Sequence, residues 1–147
     1  MTIFIGSDHN GYDLKEKIEA YLRDRGYKVV DKGNERMDPT DDFPLYGARI
    51  ASEVLAKEGS LGIVLCGSGQ GVCIAANRYK GIRAALAWNE QEARAARNDD
   101  DANILCLPAR EMTVFADAQK VVDVFLETPF AGATRFVRRI KQLDELN

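Results

Sequence analysis

The run Gly62-Ile63-Val64-Leu65 has no polar member and so cannot belong to a strand with one wet face. A half-exposed strand alternates apolar and polar residues, whereas a strand covered on both sides is apolar throughout. Similar short runs recur, so strands are predicted over residues 2–5, 27–30, 61–65, 82–87 and 103–107. Between them lie segments of helical period. Leu14, Ile18, Tyr21 and Leu22 recur at i, i+4, i+7 and i+8, and Gly26 follows as a C-terminal stop. Helices are also predicted over 45–57, 72–78, 112–126 and 133–146, with Pro129 forbidding much continuation of the longest apolar stripe. The pattern predicts an α/β fold, a three-layer Rossmann-like sandwich around a five-stranded parallel sheet. At 147 residues the chain is the length of one domain, and residues 1–147 are read as a single unit.

Sheets of this kind bind ligands beyond the carboxyl ends of their strands, which directs attention to the loops after the first, third and fifth. The third strand runs into Cys66-Gly67-Ser68-Gly69-Gln70-Gly71. Its three glycines let the backbone approach a ligand closely and turn amides inward as an anion nest. The following helix start adds partial positive charge, a field that favours a thiolate at Cys66. The alternative is a buried structural cysteine beside a tight turn. A phosphate-binding P-loop would need Lys-Ser/Thr where Val72-Cys73 stand, and a cysteine phosphatase would need an arginine where Val72 stands. A dinucleotide fingerprint would want glycine at Val72, although Glu90 lies near the spacing of a ribose-binding acid. After the first strand comes Gly6-Ser7-Asp8-His9-Asn10-Gly11, which brings Asp8 and His9 to the same edge if the strands are neighbours. Arg110 follows the fifth strand, and Arg135 and Arg139 share a helix face, while Arg138 reads as solvated. Residues 33–42 are polar and turn-rich, as in an ordered or lid-like loop.

Charge and cysteine usage narrow the function classes. With 20 Lys+Arg against 23 Asp+Glu, the net charge of −3 argues against a nucleic-acid binder. The chain has three cysteines (Cys66, Cys73 and Cys106) and a single histidine, too few for a structural zinc site. No metal is expected. Thiols placed in or beside apolar runs suit a reducing compartment. No apolar run approaches the ~20 residues of a membrane span, and the first residues show no basic leader. A cytoplasmic protein is expected.

Taken in order, several motifs closely resemble the sugar-phosphate isomerase family of type B ribose-5-phosphate isomerase and the galactose-6-phosphate isomerase subunits. They are Ser7-Asp8-His9-Asn10-Gly11, Asp42-Phe43-Pro44, Cys66 through Gly71, Ile74-Ala75-Ala76-Asn77, Gly81-Ile82-Arg83-Ala84-Ala85, and the segment from Arg135 to Arg139. The cysteine heading the glycine loop points to the type B branch. The resemblance implies a cofactor-free aldose–ketose isomerase, with ribose 5-phosphate and ribulose 5-phosphate as its pair. It implies Cys66 as the base between C1 and C2, and an enediolate pocket made by the amides of Gly67, Ser68, Gly69, Gln70 and Gly71 with the Ser68 hydroxyl. Asp8 would bind sugar hydroxyls, and His9, Arg110, Arg135 and Arg139 the phosphate. The C-terminal helix (about 130–146) would reach a partner subunit, so a homodimer or tetramer with shared active sites is implied.

Three positions depart from the family pattern. Asp99-Asp100 stand where it has His-Asn, Phe43 replaces a tyrosine, and Phe136-Val137 replace His-Gln. In the family that histidine opens the furanose ring and the asparagine touches the sugar. Asp99 then either takes over acid–base catalysis of ring opening, with Asp100 at the sugar, or ring opening is not required. A four-carbon sugar 4-phosphate, for example, cannot close a furanose. Isomerisation of another aldose phosphate, of four or six carbons, is therefore the closest alternative. A non-catalytic nucleotide- or sugar-phosphate-binding module is the alternative of another class.

Overall fold

Every residue of the first, third and fifth strands is buried, as expected of a sheet covered on both faces. The computed structural model describes residues 1–146. In chain order the elements are β1 (Thr2–Ser7), α1 (Tyr12–Asp24), β2 (Lys28–Asp31), α2 (Phe43–Ala56), β3 (Leu61–Cys66), α3 (Gln70–Ala76), β4 (Ala84–Leu86), α4 (Glu90–Asp100), β5 (Ile104–Pro108), α5 (Phe115–Glu127) and α6 (Thr134–Asp144). A short 3₁₀ turn, His9–Gly11, links β1 to α1. The strands lie in the order β2-β1-β3-β5-β4, and every adjacent pair is parallel.

Alternation along each strand divides the core into two apolar layers. Ile3, Ile5, Ile63, Leu65, Leu105 and Leu107 face Ile18 and Leu22 of α1, Ala93 and Ala96 of α4, and Val121, Val122 and Phe125 of α5. On the other face, Phe4, Val64, Cys66, Ile104 and Cys106 meet Tyr46, Ile50, Ala51 and Val54 of α2 and Val72 and Ala76 of α3. This is the expected three-layer sandwich. From β1 the chain steps outward to β2, then crosses back to β3 on β1's other side. The crevice where connections diverge therefore opens between β1 and β3.

Local signals explain most element ends. Past α1, Gly26 is left-handed (φ 86°), its amide bonds Arg23 O at 2.9 Å, and the Tyr27 amide bonds Leu22 O at 3.1 Å. This pair closes the helix as a Schellman motif. Two differences from the sequence expectation stand out. Strand β4 is limited to three residues, and α4 occupies a stretch for which no helix was expected. Only Ala93 and Ala96 of α4 are buried, so there is no stripe of large apolar residues to reveal its period. Its signal is the start: Asn89 Oδ1 accepts from Glu92 N at 2.8 Å, an N-cap followed three residues later by an acid.

Lys15 is the largest polar side chain in the interior, with no exposed surface. Its ammonium bonds Glu16 at 2.8 Å and also Asp31, which ends β2. Removing the cation would leave the Asp31 carboxylate facing a buried, unpaired site. Lys15→Met is expected to lower unfolding stability by about 2–4 kcal/mol in urea titration. Adding Asp31→Asn should recover part of that loss.

Candidate active site

The register of three neighbouring strands sets which loops meet. Ser7 pairs with Leu65 and Cys66 with Pro108, so β1, β3 and β5 end side by side. The ladder continues just past the strands. Asp8 N donates to Leu65 O at 3.3 Å, Ala109 N to Cys66 O at 2.9 Å, and Arg110 N to Gly67 O at 3.0 Å. Asp8, His9, Cys66, the loop from Gly67 to Gly71 and Arg110 thus share one edge, as the sequence predicted.

The glycine loop folds back over the sulfur. Cys66 is 5% exposed, and the Gly69 amide donates to its Sγ at 3.1 Å. Gly69 is left-handed (φ 74°), which allows this reversal. Ser68 and Gln70 face solvent at the mouth, and the Gln70 amide donates to Ser68 Oγ at 3.3 Å. Two side chains wall the loop because glycine leaves them room. A Cβ on Gly67 would lie 2.6 Å from Arg110 Nε and Nη2, and one on Gly71 would lie 2.7 Å from the Phe43 ring. Phe43 of the expected motif therefore stands beside the loop.

On the β1 side, Asp8 uses Oδ1 to accept from the amides of Asn10 (2.9 Å) and Gly11 (3.2 Å), capping the 3₁₀ turn. Burial pushes its carboxyl above the usual range against these two bonds. His9 emerges next and is held by Asp41, a residue that sequence reasoning did not single out. Asp41 Oδ1 accepts from His9 N at 3.0 Å and from Nδ1 at 2.7 Å. The Tyr46 hydroxyl faces the same carboxylate, and burial together with Asp41 pushes the phenol up to about 12. The loop over 33–42 is therefore ordered where it meets the site. Its neighbouring motif Asp42-Phe43-Pro44 was a usable signal, but spacing alone does not distinguish Asp41 from Asp42 as the histidine's partner.

Asp99, Asp100, Arg135 and Arg139 lie elsewhere. Helix α4 starts at the carboxyl edge of the sheet and runs back to the opposite one. There Asp100 O accepts from Arg83 Nε at 2.8 Å, just before β4, and Asn98 O from Ala131 N at 3.1 Å, just before α6. Asp99 Oδ1 accepts from Asn98 Nδ2 at 2.7 Å. Helix α6 packs on α4 through this region, with Phe136 buried and the Arg135 guanidinium 4.3 Å from its ring centre. About one strand length, roughly 17–20 Å, separates this edge from Cys66. Within one chain, the two groups of predicted residues do not meet.

Among the described residues, two groups have ligand atoms close enough to share a cation. They are Asp8, His9 and Asp41, and Glu16, Glu19 and Asp31. In the first, Nδ1 and the Asp41 carboxylate already bond each other. In the second, the Lys15 ammonium contacts two of the three acids. All three cysteines are unpaired thiols, and burial with the neighbouring Cys73 raises the Cys106 thiol well above its ordinary range. No described helix is long and apolar enough to cross a membrane. Gly69→Ala is expected to cost about 2 kcal/mol in a denaturant titration, from the left-handed backbone. Its Cβ would also press on Leu107 C at 2.9 Å.

Comparison with known proteins agrees with this geometry. The family described as Ribose/Galactose Isomerase matches residues 3–143. Ribose-5-phosphate isomerase B of Mycobacterium tuberculosis is 43% identical over 145 residues, spanning 99% of this chain and 89% of that protein. Galactose-6-phosphate isomerase subunit LacB of Clostridium acetobutylicum is 38% identical over 146 residues, 99% of this chain and 83% of that one. The structure of ribose 5-phosphate isomerase from Thermotoga maritima superposes with a TM-score of 0.93 at 45% identity, covering 99% of this chain and 98% of the other. Ribose-5-phosphate isomerase B from Mycoplasma genitalium, with bound ribulose-5-phosphate, gives 0.92 at 42% identity, covering 97% and 93%. With a match along nearly its whole length and the same sheet beneath it, this chain belongs to the ribose/galactose isomerase family.

Proposed function

We propose that this protein interconverts ribose 5-phosphate and ribulose 5-phosphate by proton transfer through an enediolate, with Cys66 as the base. The observation that carries the reading is the Cys66 thiol at the β1/β3 crevice, held by the Gly69 amide of the glycine loop, with Arg110 against the neighbouring Gly67. Isomerisation of an open-chain aldose needs a base at C2 and positive potential where O1 becomes an oxyanion. Cys66 Sγ takes the C2 proton as electrons shift to O1, then returns it to C1 while the C2 hydroxyl proton passes to O1, leaving a ketone at C2 and a hydroxyl at C1. The sulfur is held by the Gly69 amide, an interaction that strengthens as the sulfur gains negative charge. The first amides of α3, Gly71 among them, have no intrahelical acceptor and suit the enediolate oxygens, with the Ser68 hydroxyl beside them. None of these steps calls for a metal or organic cofactor. The free thiols suit a reducing, cytoplasmic setting.

The remaining predicted residues support an assembly. Asp99, Asp100, Arg135 and Arg139 sit at the far edge of their own subunit, so in this reading they serve the site of a partner in a homodimer or tetramer. Arg135 and Arg139 then supply phosphate contacts that a single chain lacks at the Cys66 edge, and Asp99 stands for the family's ring-opening histidine. Because that histidine is replaced, the same isomerisation of a four- or six-carbon aldose phosphate is the second reading.

A panel of ribose 5-phosphate, erythrose 4-phosphate and a hexose 6-phosphate, assayed for ketose product, tests both readings. Fastest turnover of ribose 5-phosphate is expected, and its absence beside brisk erythrose 4-phosphate turnover would move the assignment to the second. Cys66→Ala should lower kcat by about 10²–10⁴-fold while the protein still binds a sugar phosphate. Mixing Cys66→Ala with Arg135→Ala/Arg139→Ala subunits should restore about a quarter of the wild-type rate in a shared-site dimer. Two inactive proteins that stay inactive after verified subunit exchange would refute shared sites.

A further inference from the structure

We propose that Asp41 is a positioning residue for His9, fixing its ring so that Nε2 is presented to the phosphate of the substrate. The proposal rests on the reading above that the site takes a sugar phosphate. It begins from the chain's single histidine, which stands at the Cys66 edge with its side chain 32% exposed. The Asp41 side chain beneath it is only 5% exposed. That carboxylate is held from three directions. His9 N and Nδ1 reach it from the turn after β1, at 3.0 and 2.7 Å. Asn34 Nδ2 reaches it within the 33–42 loop at 3.4 Å, and the Tyr46 hydroxyl from α2. Asp8 makes no hydrogen bond to the ring, and its Oδ1 caps the turn.

The chemistry follows from which atoms carry protons. Burial tends to protonate Asp41, but the bonds from the His9 ring, the His9 amide, Tyr46 and Asn34 prevail and hold it below the usual carboxylate range. An ionised carboxylate only accepts, so the hydrogen in the short contact belongs to Nδ1. Nε2 is then left for the ligand. On a neutral ring it would be an acceptor and would repel a phosphate oxygen, whereas on an imidazolium it donates. The Asp41 hydrogen bond raises the affinity of His9 for this second proton above the ordinary histidine range. Burial opposes it, and the charges of Asp8 on the same turn and of Asp41 and Asp38 in the loop add to it. Asp41 thereby orients the ring and favours the protonation state that binds an anion. Phosphate affinity is present at low pH and is lost as pH rises through the elevated His9 pKa.

Because His9 is the only histidine, its imidazole resonances can be followed by NMR in untagged protein without assignment ambiguity. The wild-type midpoint is expected above the unperturbed value of ~6.5, and inorganic phosphate should shift these resonances below that midpoint. Asp41→Asn keeps an acceptor for Nδ1 but loses the charge, so the midpoint should fall by about half a pH unit or more. Asp41→Ala should lose the ring orientation as well and weaken phosphate binding about tenfold. With ribose 5-phosphate, Asp41→Asn should raise KM, increasingly between pH 6 and 8, and leave kcat within about threefold. An unchanged midpoint in a folded Asp41→Asn protein overturns the proposal, as does a fall in kcat at constant KM. If the wild type isomerises no aldose phosphate but phosphate still moves the His9 signals in an Asp41-dependent way, the positioning role stands and the substrate reading falls.

Discussion

Burial of the central sheet on both faces governs the rest of this molecule. A strand that cannot show a face to water must be covered by helices on each side, and parallel strands need a crossover between each pair. All βα connections then leave from one edge. Parallel register aligns Ser7, Leu65 and Leu107, so the residues just past them, including Asp8, Cys66 and Arg110, converge. None of these three approaches the others in sequence. Their meeting follows from the order β2-β1-β3-β5-β4, which makes β1 and β5 the two neighbours of β3.

The same topology accounts for what is missing from that edge. A helix leaving the carboxyl end of a strand must return the chain to the amino edge before the next parallel strand begins. Helix α4 does so, carrying Asp99 and Asp100 in its last turn to the side where Arg83 and Ala131 wait. Helix α6 follows α5 at that same side and carries Arg135 and Arg139. The carboxyl edge holds the Cys66 thiol under the Gly69 amide, His9 and Arg110, while Arg83 and Arg135 stand toward the amino edge. Within one chain the two groups stay apart, and only the proposed assembly would bring them to one site.

Individual residues show how far the sequence could be read. Gly26 and the Leu14, Ile18, Leu22 stripe disclosed α1 because a C-terminal stop and an apolar face are local properties. Helix α4 stayed hidden because only alanines reach the core, and its Asn89–Glu92 cap was the one local cue. Lys15 reads as an ordinary charged helix residue, yet it has no exposed surface and pairs with Asp31 at the end of β2. Asp41 stayed equally obscure. It is one of two adjacent aspartates, and only the path of the 33–42 loop places it, rather than Asp42, under His9.

The sequence by itself determined the parallel α/β architecture, the glycine loop headed by Cys66, and the motif order that marks the family. These are carried by short-range patterns: unbroken apolar runs, glycines at a strand end, and helical spacing. Tertiary structure alone decided that Asp41 backs His9, that Arg110 lies against Gly67, and that Asp99, Arg135 and Arg139 stand a strand's length away from Cys66. Those facts depend on strand order and on which way each helix carries the chain, which no local spacing encodes.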